Sequence, residues 1–169
     1  MSRLFEVHVY SKLYAFYGDK VHFQVAGRLN SVVDFIILDE EHNERFILDA
    51  KYKTHYQKKR NPAILADIRE ISGYARDEKI LKALKVKETG FNEDDNLIRC
   101  VIIYPEPMEI EIDDSMDEDE KENIKKFNND EIKESIEITK PITELIEGNQ
   151  IPGFRKFYKL CIKLPVIKK

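Results

Sequence analysis

Residues 32–53 read Val-Val-Asp34-Phe-Ile-Ile-Leu-Asp-Glu-Glu-His-Asn-Glu-Arg-Phe-Ile-Leu-Asp49-Ala50-Lys51-Tyr-Lys53. Two runs rich in β-branched and aromatic residues, Val32 to Leu38 and Arg45 to Tyr52, flank a polar break, which is the pattern of an antiparallel strand pair. Each run carries an acid among apolar neighbours. Burying a carboxylate beside Ile36, Ile47 and Leu48 costs on the order of several kcal/mol unless something pairs it, so acids in such strands usually serve chemistry. Side chains alternate with period two along a strand, which puts Asp49 and Lys51 on one face. Pairing Leu38 with Arg45 across the break Asp39 to Glu44 sets a register in which Asp34 faces Asp49. Two carboxylates so placed repel and raise one pKa unless a cation lies between them. The arrangement calls for a divalent metal.

Upstream, Val21 to Ala26 adds a third strand to the meander, and Arg3 to Tyr17 reads as a strongly apolar helix stopped at Gly18. Leu4, Phe5, Val7, Val9, Tyr10, Leu13, Tyr14 and Phe16 cover more than one face of it, so a buried helix is expected. Downstream, Asn61-Pro62 is a helix start. Ile64, Leu65, Ile68, Ile71, Ala75, Ile80, Leu81 and Leu84 continue at helical spacing, giving one long helix or two abutting. Leu97 to Tyr104, ending at Pro105, is the continuous apolar run of a central strand, expected to pair in parallel with the Asp49 strand through the helix as crossover. From residue 106 to 147 apolar content falls and acids dominate. This stretch reads as an acidic insertion, with a loop near Asp113 to Glu122 and a helix near Asn129 to Glu147. Phe157 to Leu164 is a last strand before a basic tail.

With 169 residues, 42% of them hydrophobic and 36% charged, the chain fits one domain around a single core, here residues 1–169. It has no run of about 18 apolar residues to span a bilayer and no leader-like start, so a cytoplasmic protein without membrane contact is expected. The net charge of -4 argues against nucleic acid as a partner until it is divided along the chain. Residues 1–105 hold 17 basic and 16 acidic groups, 106–147 hold 5 and 16, and 148–169 hold 6 and none. The deficit belongs to the middle segment. Basic clusters remain at Lys51, Lys53, Lys58, Lys59 and Arg60, and at Arg155, Lys156 and Lys159, and both suit phosphate contacts. Cys100 and Cys161 sit in apolar strand-like runs and read as small buried hydrophobes. His8, His22, His42 and His55 lack the paired spacing of zinc motifs.

An acid followed by acid-x-lysine on the adjacent strand is the pattern of metal-dependent phosphodiesterases. Asp34, Asp49, the Ala50 backbone carbonyl and a phosphate oxygen offer the hard oxygen set that Mg²⁺ prefers, with Mn²⁺ able to substitute. Such an ion lowers the pKa of a water and neutralises charge developing on phosphate, while Lys51 orients the nucleophile or stabilises the pentavalent state. A lone D-x-K triplet arises often on surfaces. What separates this one is the upstream acid at matching register, with both acids inside apolar strands and a helix following. Glu6, an acid in the most apolar helix, is a third candidate ligand, against its simpler role as a surface partner of Arg3. On the long helix Asp67, Glu70, Tyr74 and Asp77 fall three and four apart, so Glu70 or Tyr74 is placed to brace Lys51 or to touch DNA. Lys53, Lys58, Lys59 and Arg60 follow the catalytic strand and are the expected nucleic-acid contacts.

Together, Glu6 in a first helix, Asp34, Asp49-Ala50-Lys51 and a helix reading Asp67-Ile-Arg-Glu70-Ile-Ser-Gly-Tyr74-Ala-Arg resemble the PD-(D/E)xK nuclease superfamily, and within it the McrC-like branch of restriction and defence nucleases. Leu-Asp-Ala-Lys-Tyr-Lys and the strand Ile-Ile-Tyr-Pro at 102–105 add to the likeness, which covers about residues 3–105. Two positions depart: Val33 replaces the usual proline before the first acid, and Glu70 stands where related helices often carry glutamine. The resemblance implies a restriction-endonuclease-like αβββαβ core, a central mixed sheet flanked by helices. It implies a Mg²⁺-dependent DNA nuclease of a prokaryotic defence or repair setting, leaving 5′-phosphate and 3′-hydroxyl ends. McrC-like chains also carry a region coupling to a nucleotide-driven motor, so this chain reads as a minimal nuclease or an excised catalytic domain with a motor subunit as partner. Cutting two strands calls for two sites, which a symmetric homodimer would supply. The rival readings are a nuclease-fold module without turnover that binds DNA or assembles a complex, and an interaction protein built around the acidic segment. The complete set of Glu6, Asp34, Asp49 and Lys51 favours the enzyme.

Overall fold

The structure, a computed structural model, describes residues 2–53, 62–86, 98–106, 117–119, 121–122 and 135–164. The chain opens with helix α1, Ser2–Tyr17, whose buried residues Phe5, Val9, Leu13 and Tyr17 repeat every four positions and so form a single stripe. The expectation of a helix buried all round is corrected here: Leu4, Val7 and Tyr14 are 72, 47 and 46% exposed. They fall on the side of the helix opposite the stripe, and a four-residue repeat can bury only one side. Gly18, at φ +56°, lets the chain leave the helix through the 3₁₀ turn Gly18–Lys20.

Five strands follow in a mixed sheet of order β1-β2-β3-β4-β5: β1 Val21–Ala26, β2 Val32–Asp39, β3 Glu44–Ala50, β4 Arg99–Pro105 and β5 Phe157–Ile162. The first three form an antiparallel meander, and β4 and β5 add in parallel. The β2–β3 ladder has the register read from the sequence, running from Asp39 opposite Glu44 through Leu38 opposite Arg45 to Phe35 opposite Leu48. Asp49 lies opposite Ile102 of β4. Between β3 and β4 the described residues give two abutting helices, α2 Pro62–Tyr74 and α3 Glu78–Ala83. Asp77 separates them. Its carboxylate caps α3 by accepting from Lys79 N at 2.9 Å and also accepts from Arg28 N at 2.6 Å, which ties the β1–β2 turn to the helix pair. Gly27 in that turn has no room for a Cβ, which would collide with Ser31 Oγ and come within 2.6 Å of Asp77 Oδ2.

Both faces of the sheet are covered, so β4 is buried from Cys100 to Pro105. On one face Phe35, Ile37, Phe46, Leu48, Val101, Ile103 and Leu160 meet the α1 stripe. On the other Ile36, Ile47, Cys100, Ile102 and Tyr104 meet Ile68 and Ile71 of α2 and Ile80 of α3. Each fully buried Ile or Leu contributes about 1.5–3 kcal/mol. Burial pushes the Cys100 thiol up to about 12 and the Cys161 thiol up to about 11, in keeping with two buried free cysteines.

The end of the acidic stretch departs from its sequence reading. Of the helix expected over Asn129 to Glu147, residues 129–134 lie outside the described residues, and from 135 onward the structure gives a bridge from Ile136 to Ile162 and one short helix, α4, Ile142–Leu145. Ile138, Ile142 and Ile146 join the core under α1. A buried polar network fastens them: the Tyr17 hydroxyl donates to Glu44 Oε2 at 3.0 Å and accepts from Ile142 N at 2.6 Å, while Thr143 Oγ1 donates to Glu44 Oε1 at 2.5 Å. These three isoleucines at four-residue intervals lie in the stretch read as an acidic insertion, and their burial depends on a groove that the sheet and α1 provide. Most of the acidic loop near 113–122 lies outside the described residues. Among the described residues no helix is long and apolar enough to cross a membrane.

Candidate active site

In the described strands β1 and β2, side-chain alternation is interrupted. Val21 and Phe23 of β1 pack on the α1 face, yet Val25 packs on the α2 face; likewise Phe35 and Ile37 of β2 pack toward α1 and Val33 toward α2. The two residues at the reversal, Gln24 and Asp34, fall opposite each other in the register and drop out of the β1–β2 pairing. Gln24 adopts a left-handed φ of +52°, which costs a non-glycine residue about 1 kcal/mol and recurs where surroundings over-determine a site. On its other flank Asp34 lies one step past the last β2–β3 pair. Its carboxylate instead reaches across the opening, where Oδ2 accepts the Ala50 N–H at 2.8 Å. The sheet therefore parts at the acid that the sequence singled out.

Asp49 and Lys51 leave β3 on the α2 face. Asp49 has a side chain only 4% exposed, and Oδ2 is buried without a hydrogen-bond partner, although Lys51 Nζ stands 2.8 Å away as an ion-pair contact. That ammonium lies close enough for attraction but off the directions of a hydrogen bond. Burial pushes the Asp49 carboxyl up to about 7, Lys51 pulls it back, and the charges of Asp34 and Glu70 add to the rise. Burial likewise raises Asp34, opposed by the Ala50 N–H bond and reinforced by the charge of Glu6. Glu6, on α1, is thus electrostatically part of the site; its side chain is 17% exposed and its Oε2 accepts from Arg3 Nη1 at 3.1 Å. The partnership with Arg3 and the proximity to Asp34 coexist.

On α2 a chain of contacts reaches Lys51. Lys51 Nζ donates to Glu70 Oε2 at 2.9 Å, and the Tyr74 hydroxyl donates to Glu70 Oε1 at 3.0 Å. Burial and the Glu70 charge push the Tyr74 phenol up to about 12, so it remains a donor at neutral pH. For Lys51 burial works against the charge, but Asp49 and Glu70 outweigh it and raise its pKa. Asp67 does not line this pocket. It is buried and holds Lys53, whose Nζ lies 2.9 Å from each of its oxygens. Lys53, expected at the nucleic acid, is therefore engaged in an ion pair that fixes α2 to the end of β3, and Asp77 caps α3. Lys58, Lys59 and Arg60 lie outside the described residues. The residue that sequence reasoning missed is Gln24, whose only signal was its place opposite Asp34.

By type the donor set suits a divalent cation, although among the described residues the ligating groups that come within 4.8 Å of one another as a set of three are those at the β2–β3 turn and not Glu6, Asp34 and Asp49. Glu6, Asp34 and Asp49 are hard oxygen ligands, and the Ala50 carbonyl leaves the same strand edge as the Ala50 N–H that meets Asp34. Asp49 Oδ2 is buried with only the Lys51 ammonium beside it and no hydrogen bond of normal geometry, a place where a ligated ion would offset the cost of burial. Among the described residues, four carboxylates, Glu6, Asp34, Asp49 and Glu70, face two cations, Arg3 and Lys51. A second acidic group, Asp39, Glu41 and His42 at the β2–β3 turn, already has the Lys20 ammonium 2.9 Å from Asp39 and 2.7 Å from Glu41.

No protein-family model and no curated protein matches this chain. Among solved structures it is similar to a chain of the refined half-complex from the tetradecameric assembly of Thermococcus gammatolerans McrB AAA+ hexamers with bound McrC. Identity is 14% and the TM-score 0.44, over 96% of this chain and 28% of that one. This chain thus spans little more than a quarter of the length of the one it matches. At that TM-score the reading of the site rests on its own residues.

Proposed function

We propose that the chain is a metal-dependent nuclease of the restriction-endonuclease-like type, hydrolysing phosphodiester bonds of DNA. The observation that carries the reading is the buried, hydrogen-bond-deficient Asp49 Oδ2 beside Asp34, at the place where the sheet opens and Lys51 projects. Glu6, Asp34, Asp49 and the Ala50 carbonyl would hold Mg²⁺ or Mn²⁺. When bound, the ion would supply an acidified water and neutralisation of phosphate charge. The protein's own contribution is positional. Asp34 is aimed by the Ala50 N–H, and Asp49 by its strand. Lys51, kept charged by two carboxylates, is suited to donate to an oxygen gaining negative charge and poorly suited to accept a proton. Glu70 would keep Lys51 in place when Asp49 is engaged elsewhere, and Tyr74 fixes Glu70.

The defence setting and a nucleotide-driven motor as partner belong to this reading through the sequence resemblance, and a symmetric dimer through the need to cut two strands; a cytoplasmic location is part of the same proposal. The test is incubation of purified protein with plasmid, linear and single-stranded DNA and with RNA, in Mg²⁺, Mn²⁺ and EDTA, beside Asp49→Ala. Metal-dependent cleavage lost in the variant supports the reading. Cleavage that survives in Asp49→Ala or in EDTA refutes it. Metal binding without cleavage of any substrate would point to a module that binds DNA without turnover.

A further inference from the structure

Arg3 is the group that the pocket leaves without a task. Of the described cations around the acids, Lys51 bridges Asp49 and Glu70, and Lys53 holds both oxygens of Asp67. Arg3 instead sits at the outer rim, 58% exposed, with Nη1 3.1 Å from Glu6 Oε2 and Nη2 3.3 Å from Gln24 Oε1. Its guanidinium lies over the Phe23 ring, 5.1 Å from the centroid. Both of its polar partners belong to the opening. Glu6 is a candidate ligand, and Gln24 is the strained residue opposite Asp34. An exposed i,i+3 ion pair is worth little by itself, about 0.2–1 kcal/mol. Here the Phe23 ring and the Gln24 amide oxygen add to the ion pair in placing the guanidinium at the rim.

We propose that Arg3 is a substrate-phosphate contact held in reserve by Glu6 and Gln24, released to the phosphodiester when Glu6 turns to a divalent cation. The inference rests on the nuclease reading and adds to it the residue that receives the phosphate. A carboxylate that ligates a cation has less charge to offer a neighbouring guanidinium, and arginine cannot respond by losing its proton. The freed fork of donors matches two non-bridging oxygens of a phosphodiester, a bidentate geometry that lysine cannot reproduce. Metal-free protein would thus keep its rim cation neutralised, and the contact would form only with metal present.

The test measures binding of a fluorescent DNA duplex across a salt series, with Mn²⁺ or EDTA, by full-length Lys51→Ala protein carrying Arg3, Arg3→Gln or Arg3→Lys. In Mn²⁺, Arg3→Gln should weaken binding about tenfold and flatten the slope of log affinity against log salt by about 0.9, the value of one lost phosphate contact. In EDTA the two slopes should coincide. Arg3→Lys should recover the slope but only part of the affinity. The Mn²⁺-induced thermal shift of Arg3→Gln should equal or exceed that of its parent, since a competing cation is gone. Equal slopes in Mn²⁺ with that shift intact would overturn this inference and leave the nuclease reading standing. A Mn²⁺ shift lost in Arg3→Gln would also overturn it, making Arg3 a prop for Glu6. Absence of any Mn²⁺ shift in the wild type would overturn both.

Discussion

Replacing Asp49 by Asn should make the metal-free protein more stable above pH 7 and leave it unchanged near pH 4. Burial lifts this carboxyl from 3.8 to about 7 in the folded chain. Below pH 4 both folded and unfolded chains carry the proton and no cost arises. Between pH 4 and 7 the unfolded chain releases its proton while the folded one retains it, so wild-type stability falls as pH rises and levels off above 7. Three units correspond to about 4 kcal/mol. The shift is already net of the attraction of Lys51, and the amide matches the protonated acid in shape and charge, so the gain at pH 8 should approach that figure. For a chain of this length it is about 8–16 °C in Tm. Thermal melts from pH 4 to 8 in EDTA, repeated with Mn²⁺, read it directly. With Mn²⁺ the order should reverse, because the wild type gains from the ion and the amide is a poorer ligand. Equal melting temperatures at pH 8 without metal, or equal gains from Mn²⁺, would refute the account of Asp49 as a carboxylate held for a cation.

Lys51→Ala should keep the Mn²⁺ thermal shift while turnover drops by two or more orders of magnitude, about what loss of one transition-state donor costs; a lost shift would mean that Lys51 organises the ligands. Ile142→Ala should destabilise by about 2–4 kcal/mol, since the side chain is fully buried, and a denaturant melt within 0.5 kcal/mol (about the surface range) of wild type would return the segment to the surface. Burial alone would raise Asp39, but Lys20 and His42 hold its carboxyl down to about 2, so its contribution is present above pH 4 and lost as pH falls through 2. Asp39→Asn should therefore lower Tm at pH 7 and converge on the wild type near pH 2, and a deficit persisting at pH 2 would show that the loss is one of packing.

Much of the site could be read from the chain because its signals are local or depend on register. Asp49 and Lys51 share a face by strand alternation, and the polar break between β2 and β3 sets Leu38 against Arg45 with no knowledge of the rest of the molecule. The apolar run of β4 announced a strand covered on both sides, and the helix before it made a parallel pairing the natural connection. The spacing of Glu70 and Tyr74 on α2 was enough to place them toward Lys51. Only the tertiary structure decided which of several apolar stripes on α1 is buried, because Phe5-Val9-Leu13-Tyr17 and Leu4-Val7-Tyr14 differ in what faces them and hardly in composition. It decided that Ile138, Ile142 and Ile146 are core, since a groove made by distant segments supplies their burial. It also paired Lys53 with the buried Asp67 and reversed the strands at Gln24 and Asp34. These outcomes turn on contacts between residues far apart in sequence, whose energies no local pattern contains, and the reversal at Asp34 is what opens the sheet at the acids.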